Sequence, residues 1–266
     1  METYRKLLKS DRWDEWREQQ TDQTKGIQAP PQQKPFPEDA TLVDLIPSQE
    51  LAVGQMPLIE AIRRRRSRRQ YTETPLTMEE LSFLLWATQG IDEKATREMQ
   101  EWLSTKGHRM KSILRTVPSA GARNPFESYI IVNRVTDLQA GLYRYLPLRH
   151  KLLVLRPRAE LSEGLTETFS SWVRNSAVIF VWTVLPYRTE WRYTFLSHKM
   201  IAQEAGHICQ NLYLASEAIG AGACAIGAYD QDKVDTLLEV DGVDEFAIYV
   251  APVGKVDPAS SFHGEH

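Results

Sequence analysis

The chain has 266 residues, 42% of them hydrophobic and 25% charged, with a formal net charge of −3. It can bury a core as one domain with an appendage, and its slight acidity disfavours a general nucleic-acid binder, which needs a broad basic surface. Cys209 and Cys224 give neither zinc spacing nor a disulfide framework, and no apolar run reaches bilayer length, so a soluble cytoplasmic protein without a metal site is expected.

Residues 1–20 mix both charges and lack the apolar centre of a secretory signal or anchor. They read as a charged helix with Tyr4, Leu7, Leu8, Trp13 and Trp16 as its apolar positions. From 21 to 47 the chain carries Pro30, Pro31, Pro35, Pro37 and Pro47 among glutamines and charges. That composition favours extended backbone, either an arm lying on another surface, such as a partner subunit, or a linker. Residues 1–55 are therefore set apart from a domain at 56–256, with a mobile tail at 257–266.

Leu58, Ile59 and Ile62 recur at helical spacing after Pro57, and six arginines follow within seven positions, Arg63 to Arg66 with Arg68 and Arg69 around Ser67. A helix C-terminus carries partial negative charge, so any anion there must be held by side chains. Guanidinium groups, always charged and able to make two parallel bonds to phosphate, suit that task. The run fits a small anionic ligand, a nucleic-acid contact or a solvated basic face.

Thr77 with Glu80 forms a capping box before Leu81, Leu84, Leu85 and Ala87, and Gly90 stops that helix. Residues 128–135 read as a strand, 141–147 and 151–157 as a hairpin, and 177–185 as a strand buried on both faces. The longest helical pattern runs over 195–219, with Leu196, Met200, Ala205, Ile208, Leu212, Ala215 and Ile219 on one side. A short helix capped by Asp230 and a last strand in "EFAIYVAPVGK" complete the domain. Strands and helices mix without strict alternation, which predicts an α+β sandwich, and no G-x-G-x-x-G follows a first strand.

Three separated segments, "RRSRRQY" at 65–71, "PSAGARNPF" at 118–126 and "GAGACAIGAY" at 220–229, together resemble in order and spacing the flavin-contact segments of the nitroreductase family. The helix "EAGHICQNLYLASEAIG" and the proline-rich leader resemble its SagB-type dehydrogenase/oxidase branch, which includes azoline oxidases. The resemblance covers residues 56–255 and, more loosely, the leader. It implies a three-layer sandwich with a mixed, mostly antiparallel sheet flanked by helices. It also implies an intertwined homodimer with FMN at the interface, and ping-pong hydride transfer between NAD(P)H and a small organic acceptor.

Carried over by position, Arg65, Arg66, Ser67 and Arg69 hold the phosphate and ribityl chain. Pro118, Ser119, Ala120 and Gly121 pass near the isoalloxazine from the second subunit, and Asn124 adds a polar contact or serves as a turn residue. Ile226, Gly227 and Ala228 approach the flavin N5 region, or form a plain small-residue strand, and Lys255 reaches the phosphate or stays solvated. Arg63, Arg64 and Arg68 remain solvated or pair with acidic neighbours.

The azoline oxidases carry a Lys-Tyr pair before the long helix, and here Arg192 and Tyr193 occupy it as candidate catalytic residues. Arginine stays protonated and cannot be the base that lysine can be, which counts against azole formation. Tyr193 is a proton donor or acceptor, or an exposed helix-start residue. Residues 93–115, with Trp102, read as a lid. His207 reads as a packed helix residue, Cys209 as a small buried one, and His263 and His266 as tail. The alternatives are an azoline oxidase of a peptide-modification pathway and a non-catalytic flavin-sequestering protein.

Overall fold

The computed structural model describes residues 5–107 and 113–257; Tyr4, His263, His266 and all but the first residue of the 257–266 tail lie outside them. Seven strands form one sheet: β1 (Leu42–Asp44), β2 (Phe126–Val132), β3 (Gly141–Leu146), β4 (Lys151–Pro157), β5 (Val178–Val184), β6 (Ala221–Ala223) and β7 (Phe246–Lys255). Their order is β1-β4-β3-β2-β5-β7-β6, with every neighbouring pair antiparallel. The helices are α1 (Trp13–Glu18), α2 (Leu58–Arg64), α3 (Met78–Gln89), α4 (Glu93–Thr105), α5 (Ser162–Thr168), α6 (Ser171–Arg174), α7 (Tyr187–Tyr193), α8 (Ser197–Ala218) and α9 (Gln231–Leu238).

The period-two pattern of the central strands sends side chains into two cores. Ile130, Val132, Phe180 and Trp182 meet Leu81, Leu84 and Leu85 of α3 and Ile201, Ile208 and Leu212 of α8. Tyr129, Ile131, Ile179 and Val181 meet Leu165 of α5, Val173 of α6 and Leu237 of α9 on the other face. The result is the expected sandwich of helices around an antiparallel sheet. The Thr77/Glu80 capping box is made in full, with the Thr77 side chain accepting from the Glu80 N–H and the Glu80 carboxylate accepting from the Thr77 N–H.

The leader differs from its expectation. A single helix does not run to residue 20; only Trp13–Glu18 is α-helical beyond a turn at the start, and Leu7 and Leu8 stay exposed. The four polar residues between Leu8 and Trp13 break the apolar stripe that one amphipathic helix needs. The proline-rich segment is extended as expected and lies on its own chain. Buried Arg144 donates to the Lys34 and Pro35 carbonyls at 3.1 and 2.9 Å, and the Lys34 N–H donates to Glu127 Oε1 at 2.7 Å. The arm ends in β1, which pairs with β4.

The strand expected at 128–135 runs Phe126–Val132, and the long helix begins at Ser197 after a 3-10 turn rather than at 195. In the 93–115 segment α4 buries Leu103 and exposes Trp102, whereas Arg115 is buried, donating to Gln89 Oε1 and, at 2.8 Å, to the Gln32 carbonyl. Arg115 is thus part of the core. His207 is exposed on α8, not packed, while Cys209 is buried.

Candidate functional site

The arginine run begins where α2 ends, Arg65 donating its N–H to the Ala61 carbonyl as the C-cap. The chain then turns against the sheet edge: Ser67 bridges Ala223 in parallel fashion, and the Arg68 N–H donates to the Ala223 carbonyl at 2.9 Å. A Cβ on Gly222 would sit 2.4 Å from Arg68 Cγ, so this close approach requires glycine. The first and third segments read from the sequence are therefore built into one edge.

Tyr213 of α8 fastens that edge. Its hydroxyl lies 2.9 Å from Ser67 Oγ and accepts from the Ala225 N–H at 2.8 Å, while the Arg65 guanidinium sits over its ring at 5.3 Å. Cys224 lies beneath, its thiol pushed up by burial and partly lowered by Arg69 and by hydrogen bonds from the Ser67 and Arg69 side chains. Arg66 is exposed and donates to the Arg63 and Arg65 carbonyls. None of the ion pairs among the described residues engages Arg65 or Arg69. Arg68, expected in solvent or paired with an acidic neighbour, is half-buried over Gly222 with its Nε lacking a hydrogen-bond partner. Un-neutralised guanidinium groups beside a hydroxyl and an orphaned donor fit an anionic, hydrogen-bonding ligand.

Lys255, at the end of β7, is turned inward, donating to Glu80 Oε1 and, at 2.6 Å, to the Ile219 carbonyl. Ile226 bridges Val250, while Gly227 and Ala228 are exposed, and nothing lies within 4 Å of a Cβ built on Gly227.

The second segment stands apart, nearer the start of α8. Pro118 is exposed, and Ser119, Ala120 and Gly121 are half-exposed on a turn with positive φ at Gly121 (57°), Ala122 (52°) and Asn124 (50°). Its backbone is heavily restrained. The Ala120 N–H donates to Glu204 Oε1 at 2.7 Å, the Asn124 N–H donates to Ser119 Oγ at 2.9 Å, and the Asn124 side-chain amide donates to Gln32, Ile113 and Ala122. Burial pushes the Glu204 carboxyl up to about 7, against the lowering effect of Ala120, Ser119 and Arg115.

Arg192 and Tyr193 close α7 directly over this turn: a Cβ on Gly121 would meet Tyr193 Oη at 2.8 Å and Arg192 Nη1 at 3.1 Å. Tyr193 is not an exposed helix-start residue. It is half-buried, stacked on Trp16 of α1 with ring centroids 6.1 Å apart, and Trp16 Nε1 donates to the Arg192 carbonyl at 3.3 Å. Glu204 and Tyr213 are nine residues apart on α8, about 13 Å along the axis, so the two groups of residues lie at different levels of one helix.

Tyr213 and Glu204 were not among the residues singled out from the sequence. Glu204 had a readable signal, a carboxylate in the buried stripe of Ile201, Ala205 and Ile208. Among the described residues no cluster of His, Cys, Asp and Glu is placed for a metal, and no helix is long and apolar enough to cross a membrane.

These features define an α+β sandwich protein with a cationic cradle at one sheet edge and a restrained turn of small residues at the head of its longest helix. Residues 62–255 match the nitroreductase family model, and the chain belongs to the nitroreductase family. A Methanocaldococcus jannaschii protein that bears the name nitroreductase is 29% identical over 209 residues, 76% of this chain and 95% of that one. The trifolitoxin-processing protein TfxB of Rhizobium leguminosarum bv. trifolii is 27% identical over 140 residues, 50% of this chain; the chain spans 38% of that relative's length. A crystal structure of a Ralstonia eutropha protein named as a nitroreductase has a TM-score of 0.63 at 22% identity, covering 86% of this chain and 99% of that one, a likeness of fold.

Proposed function

We propose that the protein is an FMN-dependent oxidoreductase that passes hydride from NAD(P)H to a small organic acceptor by a ping-pong route, as a homodimer. The observation that carries this reading is the Ser67–Ala223 bridge, which joins the arginine run to the small-residue edge strand in one cradle. FMN, when bound, supplies reversible hydride acceptance. Arg65, Arg66, Arg69 and Ser67 would hold its phosphate, each charge-assisted bond contributing about 1.5–3 kcal/mol. Ile226, Gly227 and Ala228 would present backbone toward its ring, and Pro118, Ser119, Ala120 and Gly121 of a second copy would cover it. Tyr193 Oη, beside Gly121, is the group available there to hold or move a proton.

Two features support the dimer. The two groups of residues are separated along α8, and α2 exposes Leu58, Ile59 and Ile62 by 64, 58 and 56%, an apolar face that one chain leaves in water. The purified protein should be yellow, release FMN on denaturation, bleach on NADPH or NADH, and elute as a dimer. A colourless protein that gains no colour from added FMN would overturn the reading.

A peptide-azoline oxidase is the second reading, favoured by the likeness to the trifolitoxin-processing protein and by the SagB-type features of the long helix. Arg192 stands against it, since a guanidinium cannot take up the proton. That reading requires Arg192→Lys to keep or raise oxidation of a heterocyclised peptide.

A further inference from the structure

Glu204 is 4% exposed in the middle of an apolar helix face, and its contacts run toward the second segment. Its carboxylate accepts the Ala120 N–H at 2.7 Å and the Ser119 hydroxyl, and that same Ser119 Oγ accepts the Asn124 N–H at 2.9 Å. One carboxylate thus terminates a chain of donors that reaches both ends of the turn. The turn holds three residues at positive φ, two of them non-glycine, a conformation that persists only where surroundings impose it. The other face of the turn is covered by Tyr193 and Arg192, so Glu204 is its support from the core side.

We propose that Glu204 is the positioning residue of the site, its ionised carboxylate fixing the Ser119–Gly121 backbone against which flavin is bound. The proposal rests on the FMN reading for its consequence, but the carboxylate–turn link itself is a property of the chain alone. Among the described residues the charged group that faces Glu204 is Arg115, which is itself buried against Gln89 and Gln32, and the turn adds the neutral Ser119 hydroxyl and Ala120 N–H. Ionised, Glu204 makes charge-assisted bonds; protonated, it keeps a weaker acceptor for Ala120 and competes with Ser119 as a donor. Because burial places its titration at about pH 7, both forms are accessible near neutrality.

The experiment has two arms. In the flavin-free protein, the Ala120 amide proton resonance is followed from pH 5.5 to 8.5 in wild type, Glu204→Gln and Ser119→Ala. The wild-type resonance should shift downfield with rising pH around a midpoint near 7, and Glu204→Gln should hold it fixed at the low-pH position; Ser119→Ala, which keeps the carboxylate, should titrate at a higher midpoint. In the second arm FMN and riboflavin are titrated over the same range. Wild type should bind both about tenfold more tightly at high pH, and Glu204→Gln should lose that dependence. Riboflavin removes the titration of the FMN phosphate itself, whose second pKa is about 6. An Ala120 resonance that titrates identically in Glu204→Gln, or not at all in wild type, overturns the proposal. A correct amide titration with no flavin binding at any pH leaves the link standing and overturns the FMN reading with the positioning role drawn from it. Flavin binding without pH dependence in wild type overturns the positioning role alone.

Discussion

The hydroxyls of Ser67 and Tyr213 lie 2.9 Å apart and tie the arginine-rich turn to a helix 146 residues further along the chain. Tyr213 also accepts the Ala225 N–H, so one phenol joins both walls of the cradle. Tyr213→Phe removes the acceptor from a half-buried N–H and should cost about 1–2 kcal/mol in urea unfolding. The same variant should weaken FMN about tenfold in a fluorescence titration, because Ser67 and the backbone after it lose their anchor. Unchanged flavin affinity would mean that the link plays no part in the cradle.

The arginines divide by position. Arg65, over the Tyr213 ring, and Arg69, against Cys224, face the edge formed with β6, whereas Arg64 lies exposed in the last turn of α2. Arg65→Ala or Arg69→Ala should lower FMN affinity by roughly 10- to 100-fold, from the loss of one charge-assisted contact. Arg64→Ala should leave it within twofold (~0.4 kcal/mol). Flavin content per purified chain and a fluorescence titration read both outcomes.

Much of this edge was legible in the sequence. The three segments stand out by residue type, a guanidinium run and two stretches of small residues, and the structure joins the first and third directly. The capping box at Thr77 and the buried strand at Val178–Val184 are local patterns and were equally readable. What pattern alone did not reveal depends on long-range contact. Arg115 reads as part of a charged lid yet is buried, because Gln89 and the Gln32 carbonyl meet it there. Lys255 reads as a free basic group, yet Glu80, already engaged as a helix cap, is brought against it by the fold. Tyr213 looks like an ordinary aromatic beside Leu212, and only the return of residues 223–225 to the sheet gives its hydroxyl two partners.

Gly222 and Gly227 sit five residues apart and should answer differently to alanine. At Gly222 the new methyl would press on Arg68 Cγ and Cβ at 2.4 and 2.7 Å and on Val256, none of them the far end of a flexible chain. Gly222→Ala should cost about 1–3 kcal/mol in chemical denaturation and push the arginine turn off the edge strand. At Gly227 nothing lies within 4 Å and φ is not positive, so the fold should be unaffected. If flavin lies against this backbone, Gly227→Ala should lower FMN affinity at unchanged melting temperature; unaltered affinity would remove residues 226–228 from the site.

Stability should depend on pH through Glu204. Its folded-state titration, raised by burial to about 7 from the ordinary 4.5, means that the folded protein holds the proton more tightly than the unfolded chain. The contribution is fully present below about pH 4.5 and is lost as pH rises through 7, up to about 3 kcal/mol between the two ends. Wild type should therefore lose stability from pH 5 to 8 in urea titrations, and Glu204→Gln should show a flatter profile over that window. The direction is opposite to that expected for flavin affinity, so one variant separates the global effect from the local one.

The buried pair Arg188–Glu127 offers the sharpest test of how the leader is held. The two side chains are each 2% exposed and 2.5 Å apart, and Glu127 also accepts the Lys34 N–H, while the Arg123 guanidinium donates to the Arg188 carbonyl at 2.8 Å. Glu127→Leu strands a buried guanidinium and should cost about 3–5 kcal/mol. Adding Arg188→Met removes the stranded charge and should recover most of that loss, since an apolar pair of similar volume avoids the desolvation of both ions. The Lys34 N–H loses its acceptor in both variants, so the arm should become more sensitive to limited proteolysis near residues 30–36 even where global stability is restored. A double variant as stable as wild type but with a loosened arm would show that the ion pair holds the leader rather than the core; an arm equally protected in all three proteins would place its anchorage in Arg144 and β1 instead.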